Sequence, residues 1–328
     1  MPDLDERLLL RDTAREVFAA DPGIEDIAHL GWLGLLTPED AGGEGWFPYE
    51  AALIAMEGGR AGTASTWYMT ALAAGFLSRT RETRENAAPL LSGDQVGAFA
   101  SAPQLTASSG TVTGTVQRLL SERAPEIVVL AGPPEIGAIA TTTEHRGVAV
   151  HPNLETLETE RHLFRLILDK VEADSMDSRA VALLELLATV LLCADTVGAV
   201  GRAVQIVTEY LVQREAFGAP IASFQVVQHR LVDLTLFQNA SEALVLSAAG
   251  ALALGEPRAE RVALAAHTYI ESRAVAAVDD CIQLSGGIGF TWEFPVHHLL
   301  RRVSTNAALL GSARTSRHRL AALRGWAR

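Results

Sequence analysis

Two stretches of the chain gather residues whose types and spacing suit the holding of an anionic ligand. In the first, REAFGAPIASFQVVQHRLVD (Arg214–Asp233), Arg214 offers a fixed cation to a phosphate or carboxylate. Gly218 and Pro220 make a turn there, and Phe217 and Phe224 are apolar anchors. Gln225 and Gln228 lie three apart on the following helix and can face one ligand or one interface. On its own residues the stretch reads as a helix–turn–helix hairpin with structural glutamines. In the second, QLSGGIGFTWEFPVHHLLRR (Gln283–Arg302), Gly286, Gly287 and Gly289 leave backbone N–H groups open beside a helix end. Those are the ingredients of a pyrophosphate cradle and, taken alone, equally of a tight turn.

Other chemistries find less support. Cys193 and Cys281 are the only cysteines, both in apolar settings, and read as buried free thiols of a reducing compartment. No histidine is arranged to activate either one for acyl transfer. His229, His267, His297, His298 and His318 are scattered without metal-ligand spacing, so no metal is expected. The chain has no GxGxxG after a strand, no GxxxxGK[ST] and no GxSxG, which leaves the common nucleotide and hydrolase sites unsupported.

The elements that must position the two stretches follow from periodicity. Apolar residues recur at helical spacing from Leu4 to Ala20 and again over Pro48–Leu77, separated by turn residues in Gly31–Trp46. From Val96 to Asp174 the chain changes to short β-rich pieces such as VGAFASA, GTVTGTV, EIVVLAG and HLFRLILDKV. Short strands without intervening helices predict antiparallel sheet rather than βαβ units. Helices then return: one over Ser178–Arg214 with a bend near Gly198 or Gly201, and a second to Leu252. A turn at Gly255–Glu260 follows, with Pro257 at a helix start, then a third helix to Leu284 and a basic final helix. The expected fold is mainly α with a central β domain (α+β). Its expected domains are residues 1–92 (helical), 93–177 (β) and 178–328 (helical).

Composition narrows the function classes. The 328 residues carry a formal charge of −12 and are 48% hydrophobic, enough for a substantial core. Such an acidic surface argues against nucleic acid as partner while leaving room for a small anion held by local arginines. The N-terminal segment is charged throughout and is not read as a signal peptide. The apolar run Val181–Ala194 falls short of the roughly 20 residues that cross a bilayer and is interrupted by Glu185, so it reads as a core helix. No membrane span and a cytoplasmic location are the expectations. The basic run Arg314–Arg328 reads as a solvated helix face at a subunit interface, with phosphate contact as the sharper alternative.

In their order, R-x-x-F-G-x-P-I-x-x-F-Q from Arg214 and Q-x-x-G-G-x-G-F-x-x-E-x-P from Gln283 resemble the C-terminal domain of the acyl-CoA dehydrogenases. LGWLGLLTPEDAGGEGW (Leu30–Trp46) resembles the family's N-terminal helix–loop segment. The resemblance implies an acyl-CoA dehydrogenase fold: a helical N-terminal domain, a reduced β-barrel-like middle domain and a C-terminal four-helix domain. It implies FAD as cofactor and α,β-desaturation of an acyl-CoA thioester, with a carboxylate base removing the α proton. By similarity, Arg214 and Phe217 would touch the FAD of a partner subunit. Gln283, Gly286 and Gly287 would bind its adenosine-pyrophosphate half with support from Gln225, and Thr291 would lie near the flavin of its own subunit.

Departures from the family pattern carry a second expectation. The two family positions for the catalytic glutamate fall on Ala188 and on Leu310, and the arginine that holds CoA falls on Thr189. The flavin loop corresponds to ASAPQLTASSG (Ala100–Gly110), without its acidic and Gly-Ser-Asp elements. The chain thus resembles the short, non-catalytic partner of two-component acyl-CoA dehydrogenases, the actinobacterial heterotetramers that degrade steroids. A longer acyl-CoA dehydrogenase subunit would then supply the base and most of the acyl-CoA site, and an electron-transfer flavoprotein or similar acceptor would take the electrons. Two alternatives stand beside this reading. One is a self-sufficient homotetramer with a displaced base, Glu185 or Asp195; the other is a non-flavin structural subunit. Taken singly, Glu185 and Asp195 read as salt-bridge residues and Glu293 as a residue that orients its loop.

Overall fold

The computed structural model describes residues 4–79, 83–108, 110–132, 137–154, 156–172 and 178–326. Helices α1 (Leu4–Ala19), α2 (Ile24–His29), α3 (Pro48–Ala61), α4 (Trp67–Leu77) and α5 (Ala88–Leu91) come first. Strands β1 (Gly97–Ser101), β2 (Thr106–Ser108), β3 (Thr111–Ser121), β4 (Ile127–Ala131), β5 (Ala138–Thr142), β6 (Val148–Pro152) and β7 (His162–Glu172) follow. After them come α6 (Ser178–Gln213), the short strands β8 (Glu215–Ala216) and β9 (Ala219–Pro220), and α7 (Gln225–Ala253). The last helices are α8 (Ala259–Glu271), α9 (Ala274–Ser285), α10 (Val296–Leu310) and α11 (Ala313–Leu323). Helical, β and helical regions follow one another as the sequence predicts. The contacts divide the chain into two compact units. One holds residues 1–19, 52–63 and 189–328, and the other holds 20–51 and 64–188, so two of the four boundaries fall within α3 and α6.

The unit of residues 20–51 and 64–188 carries the sheets. Every residue of α4 is buried, as its apolar composition on all sides demands. Gly97 opens β1 where an added Cβ would come within 2.8 Å of Ala73, and the Thr70 hydroxyl donates to the Gly97 carbonyl at 3.1 Å. Strand β4 (IVVLA) is wholly buried between β1 and β5. Its pairing corrects the expectation of a purely antiparallel domain: β4 runs antiparallel to β5 but parallel to β1. The chain between β1 and β4 passes through β2 and β3, which belong to a second, antiparallel sheet of order β2-β3-β7-β6. A strand pair thus makes the crossover that a helix makes in a βαβ unit. Val116, Leu119, Phe164 and Leu166 pack with Val128, Leu130 and Ile139 into the core of this unit.

In the other unit the remainder of α6, α1 and α7–α11 pack with the C-terminal part of α3. Helix α6 runs 36 residues without a break. Gly198, read as a bend point, instead admits α3: a Cβ there would lie 1.8 Å from the Met56 carbonyl oxygen, and one on Gly59 2.0 Å from that of Asp195. Helix α6 is long and apolar enough to cross a membrane by length and composition alone, but 67% of its most apolar window is buried within the protein. Three expected helices prove to be two each. The stretch Pro48–Leu77 breaks after Gly62 (φ 71°), the helix read to Leu284 breaks at Ser272–Arg273, and the final helix breaks at Gly311 (φ 77°). Pro257 sits two residues ahead of α8 rather than at its first turn.

Candidate functional site

The hairpin after α6 is closed by its backbone. Arg214 N–H donates to the Tyr210 carbonyl at 2.9 Å, and Ile221 N–H donates to the Arg214 carbonyl at 2.8 Å. Glu215 pairs with Pro220 and Ala216 with Ala219, which leaves Phe217 and Gly218 as the turn. Both have positive φ, 54° and 79°. A two-residue hairpin of this sign wants Asn or Gly at both places, and a bulky residue at the first is a conformational outlier. The Phe217 side chain is 99% exposed, and its ring stands nearly perpendicular to that of Phe224, 6.3 Å between centroids. Arg214 and Gln225 are exposed on either side of it. A strained turn that holds an aromatic ring out to solvent is the kind of outlier that marks a binding function.

The glycine stretch lies between α9 and α10. Gly286 and Gly287 are exposed, and a Cβ on either would meet nothing within 4 Å, whereas one on Gly289 would come within 2.6 Å of the Ile282 carbonyl oxygen. Gly289 therefore packs the turn against α9, and its two predecessors present bare backbone to open space beside the exposed Gln283. Thr291 donates its hydroxyl to the Ile288 carbonyl at 2.9 Å. The Glu293 carboxyl is held below the usual carboxylate range, first by its own backbone N–H and then by the neighbouring Thr291 side chain. The loop's exit is fixed by Phe294, buried and edge-on to Tyr210 at 5.6 Å. Tyr210 lies one turn before Arg214, so the structure ties the two motifs of the sequence to one helix end.

The two positions where the sequence reading places the family's base hold no acid. Ala188 is buried in α6 beside Thr189, and neither can accept a proton at neutral pH. Leu310 closes α10, and its side chain lies outside the described residues. Of the displaced candidates, Asp195 is fully buried, with both oxygens bound by Arg302 at 2.9 and 2.5 Å and one also by Asn306 at 2.6 Å. A carboxylate so enclosed is structural. Glu185, in the other unit, is half-buried and accepts the Ser101 hydroxyl at 2.7 Å. Ser101 lies in the segment Ala100–Gly110, so this carboxylate stands beside the segment where the flavin loop was expected.

Sequence reasoning missed Glu122. It follows β3, and one of its oxygens accepts the Thr66 N–H at 2.6 Å and the Ser65 hydroxyl at 3.2 Å, capping α4 from outside. Burial pushes its carboxyl up despite those bonds. Its partners lie 56 and 57 residues away, and no local pattern announces them. Both cysteines are buried and free, the Cys281 thiol pushed up to about 12 by burial and the Cys193 thiol raised by the same cause, so neither is a nucleophile. Among the described residues no group of His, Cys, Asp and Glu side chains could hold a metal ion.

With a helical–β–helical fold, a hairpin led by arginine and a bare glycine turn, the molecule is built as a flavoprotein dehydrogenase of the acyl-CoA class. Residues 5–81 match the family profile "Acyl-CoA dehydrogenase, N-terminal domain" and residues 186–323 match "Acyl-CoA dehydrogenase, C-terminal domain". The chain belongs to the acyl-CoA dehydrogenase family. It is 29% identical to the acyl-CoA dehydrogenase IpdE2 of Mycobacterium tuberculosis, with 96% of each chain covered. Its fold matches that of a chain in the Tcur3481–Tcur3483 steroid acyl-CoA dehydrogenase G363A variant, with a TM-score of 0.87, 24% identity and 98% of each chain covered. It also matches a chain of the ChsE4–ChsE5 complex from Mycobacterium tuberculosis, with a TM-score of 0.86, 20% identity, and 99% and 98% of the two chains covered. FAD is the cofactor this family uses, and the residues fit it. Bare backbone at Gly286 and Gly287 leaves room for a pyrophosphate, and Gln283, Arg214 and Gln225 are exposed side chains able to donate hydrogen bonds.

Proposed function

We propose that the chain is the base-lacking subunit of a two-chain, FAD-dependent acyl-CoA dehydrogenase that introduces an α,β double bond into a steroid-derived acyl-CoA thioester. One observation carries this reading. The cofactor-facing hairpin and the bare glycine turn are kept intact, while apolar residues occupy the family's base positions at Ala188 and Leu310. In it, Arg214 and Phe217 reach a flavin seated mainly on a longer partner chain, which supplies the base and most of the acyl-CoA site. Gln283, Gly286 and Gly287, supported by Gln225, hold the adenosine-pyrophosphate half, and Thr291 faces the flavin of its own subunit. Bound FAD supplies the hydride acceptor for the desaturation. This chain's part is to neutralise and orient the phosphates with Arg214 and backbone N–H groups, and to cover the cofactor from water with Phe217. The steroid substrate is supported by likeness to a steroid enzyme, and the assembly by likeness to two-chain complexes. An electron-transfer flavoprotein as acceptor and a cytoplasmic location belong to the same reading, as do domain limits at residues 1–92, 93–177 and 178–328.

The test is to co-express the chain with the longer acyl-CoA dehydrogenase encoded beside its gene and to measure native mass and FAD per assembly. A heterotetramer with two copies of each chain and about half as much FAD as subunits, and little flavin on this chain alone, is the expected result. An active homotetramer with one FAD per subunit would overturn it. That outcome belongs to a second reading, which the Ser101–Glu185 hydrogen bond of 2.7 Å favours: a self-sufficient enzyme in which Glu185 is the base. Glu185→Gln separates the two, abolishing turnover in the second and leaving it close to wild type in the first.

A further inference from the structure

Arg302 is a buried cation that ties three segments of its unit together. It lies two turns into α10, is 2% exposed, and makes three bonds to two other segments. Its Nε and Nη2 donate to the two oxygens of Asp195 on α6 at 2.9 and 2.5 Å, and its Nη1 donates to the Thr63 carbonyl just beyond α3 at 2.7 Å. One turn further along α10, Asn306 Nδ2 donates to Asp195 at 2.6 Å and to the Thr196 hydroxyl at 3.0 Å. Glycines make this arrangement possible, because a side chain at Gly59 or Gly198 would drive α3 off α6 at the level of Asp195. A guanidinium fork gripping a carboxylate and a carbonyl fixes rotation and translation of its helix, which apolar packing alone leaves free to slip. What α10 holds at its N-terminal end is the exit of the glycine turn, through Phe294 and Pro295.

We propose that Arg302 is a positioning residue for the glycine turn: its grip on Asp195 and Thr63 sets where α10 begins and so holds Gly286–Phe290 in the conformation that presents bare backbone to a ligand phosphate. The inference rests on reading that turn as the pyrophosphate cradle. It also assigns Asp195 a task other than proton abstraction, because the carboxylate is spent on the clamp.

The experiment uses the chain in complex with its co-expressed partner and compares Arg302→Met, Arg302→Lys and Val245→Ala. Val245 is fully buried in α7 and makes none of the clamp's hydrogen bonds, so its truncation loosens the unit while leaving those bonds in place. Amide hydrogen exchange over Gly287–Thr291 is measured alongside Tm and FAD affinity. Arg302→Met is expected to speed exchange of those amides at least tenfold and to weaken FAD by about tenfold, a change of 1.4 kcal/mol. Arg302→Lys, which keeps the charge and loses the fork, falls between Arg302→Met and the wild type. Val245→Ala lowers Tm without either effect. If both Arg302 variants leave exchange over the turn as in the wild type, or if Val245→Ala speeds it equally, the positioning role is overturned. If the wild-type complex binds no FAD, the cradle reading falls, and the exchange data alone then decide whether the clamp orders the turn.

Discussion

A phenylalanine at positive φ and a glycine with nothing in front of it make the sharpest statements at the scale of single residues. Gly287 has no neighbour within 4 Å of a built Cβ and, unlike Gly286, does not need the left-handed region, so the fold has no use for its bareness. Gly287→Val is therefore expected to leave stability within ~0.5 kcal/mol of the wild type. In the complex it should lower FAD affinity at least tenfold, read by flavin fluorescence on dilution; unchanged affinity would remove the turn from the cofactor site. His267 gives a prediction of a different kind. Its Nδ1 lies 2.6 Å from the Ser316 hydroxyl, and burial pulls the imidazole down to about 4. The unfolded chain takes up that proton at its ordinary value near 6.5, so stability is lost as pH falls from about 6.5 towards 4, by up to ~3 kcal/mol. Glu122 works with the opposite sign. Its raised carboxyl favours the folded state in the protonated form, and that contribution fades as pH rises through the folded value. Melting His267→Gln and Glu122→Gln against the wild type from pH 4 to 8 checks both. The first difference should shrink as pH falls and the second should change in the other direction.

Among the elements, the α3–α6 crossing is held by glycine rather than by large apolar side chains. A Cβ at position 198 would stand 1.8 Å from the Met56 carbonyl oxygen, a distance that backbone cannot absorb by rotating a side chain. Gly198→Ala is expected to cost about 3 kcal/mol or more by pushing the helices apart, seen as a large fall in Tm. Gly62→Ala, with open space around it, should cost only the ~1 kcal/mol of a strained φ. The long helix, the hairpin and the glycine turn were legible in the sequence because each is a local pattern: sustained apolar periodicity, Gly-x-Pro, and three clustered glycines. The parallel pairing of β1 with β4 was not, since strand order is a tertiary choice that the strands' own composition leaves open. The breaks at Ser272–Arg273 and after Gly62 escaped for a related reason. Apolar spacing continues across both, and only the packed helices reveal that the chain changes direction there. The Asp195 clamp was equally hidden, as its partner lies 107 residues away. The acid was visible to the eye as a base candidate and could be recognised as a structural ion only in three dimensions.

For the whole molecule, the balance to consider is between a formal charge of −12 and the apolar surface left uncovered. Val232 and Leu236, one turn apart on α7, are 55% and 62% exposed, and Phe217, Phe290 and Trp292 are exposed above 70%. A folded chain that shows so much apolar side chain is expected to bury it against another chain. Net charge opposes self-association, and salt screens that opposition: the Debye length falls from about 10 Å at 0.1 M to 3 Å at 1 M. The chain alone is therefore expected to sediment as a small species in dilute buffer and to associate progressively as NaCl rises towards 1 M. Val232→Lys with Leu236→Lys should abolish that association at every salt concentration, at little cost in Tm because both side chains already face solvent. The same double variant, co-expressed with the longer chain, should fail to form the mixed complex if α7 is the surface that partner covers. A variant that still assembles would place the shared contact elsewhere and leave the salt dependence to be explained by the aromatic side chains of the hairpin and glycine turn. Sedimentation velocity on the two forms, alone and with the partner, distinguishes these outcomes directly.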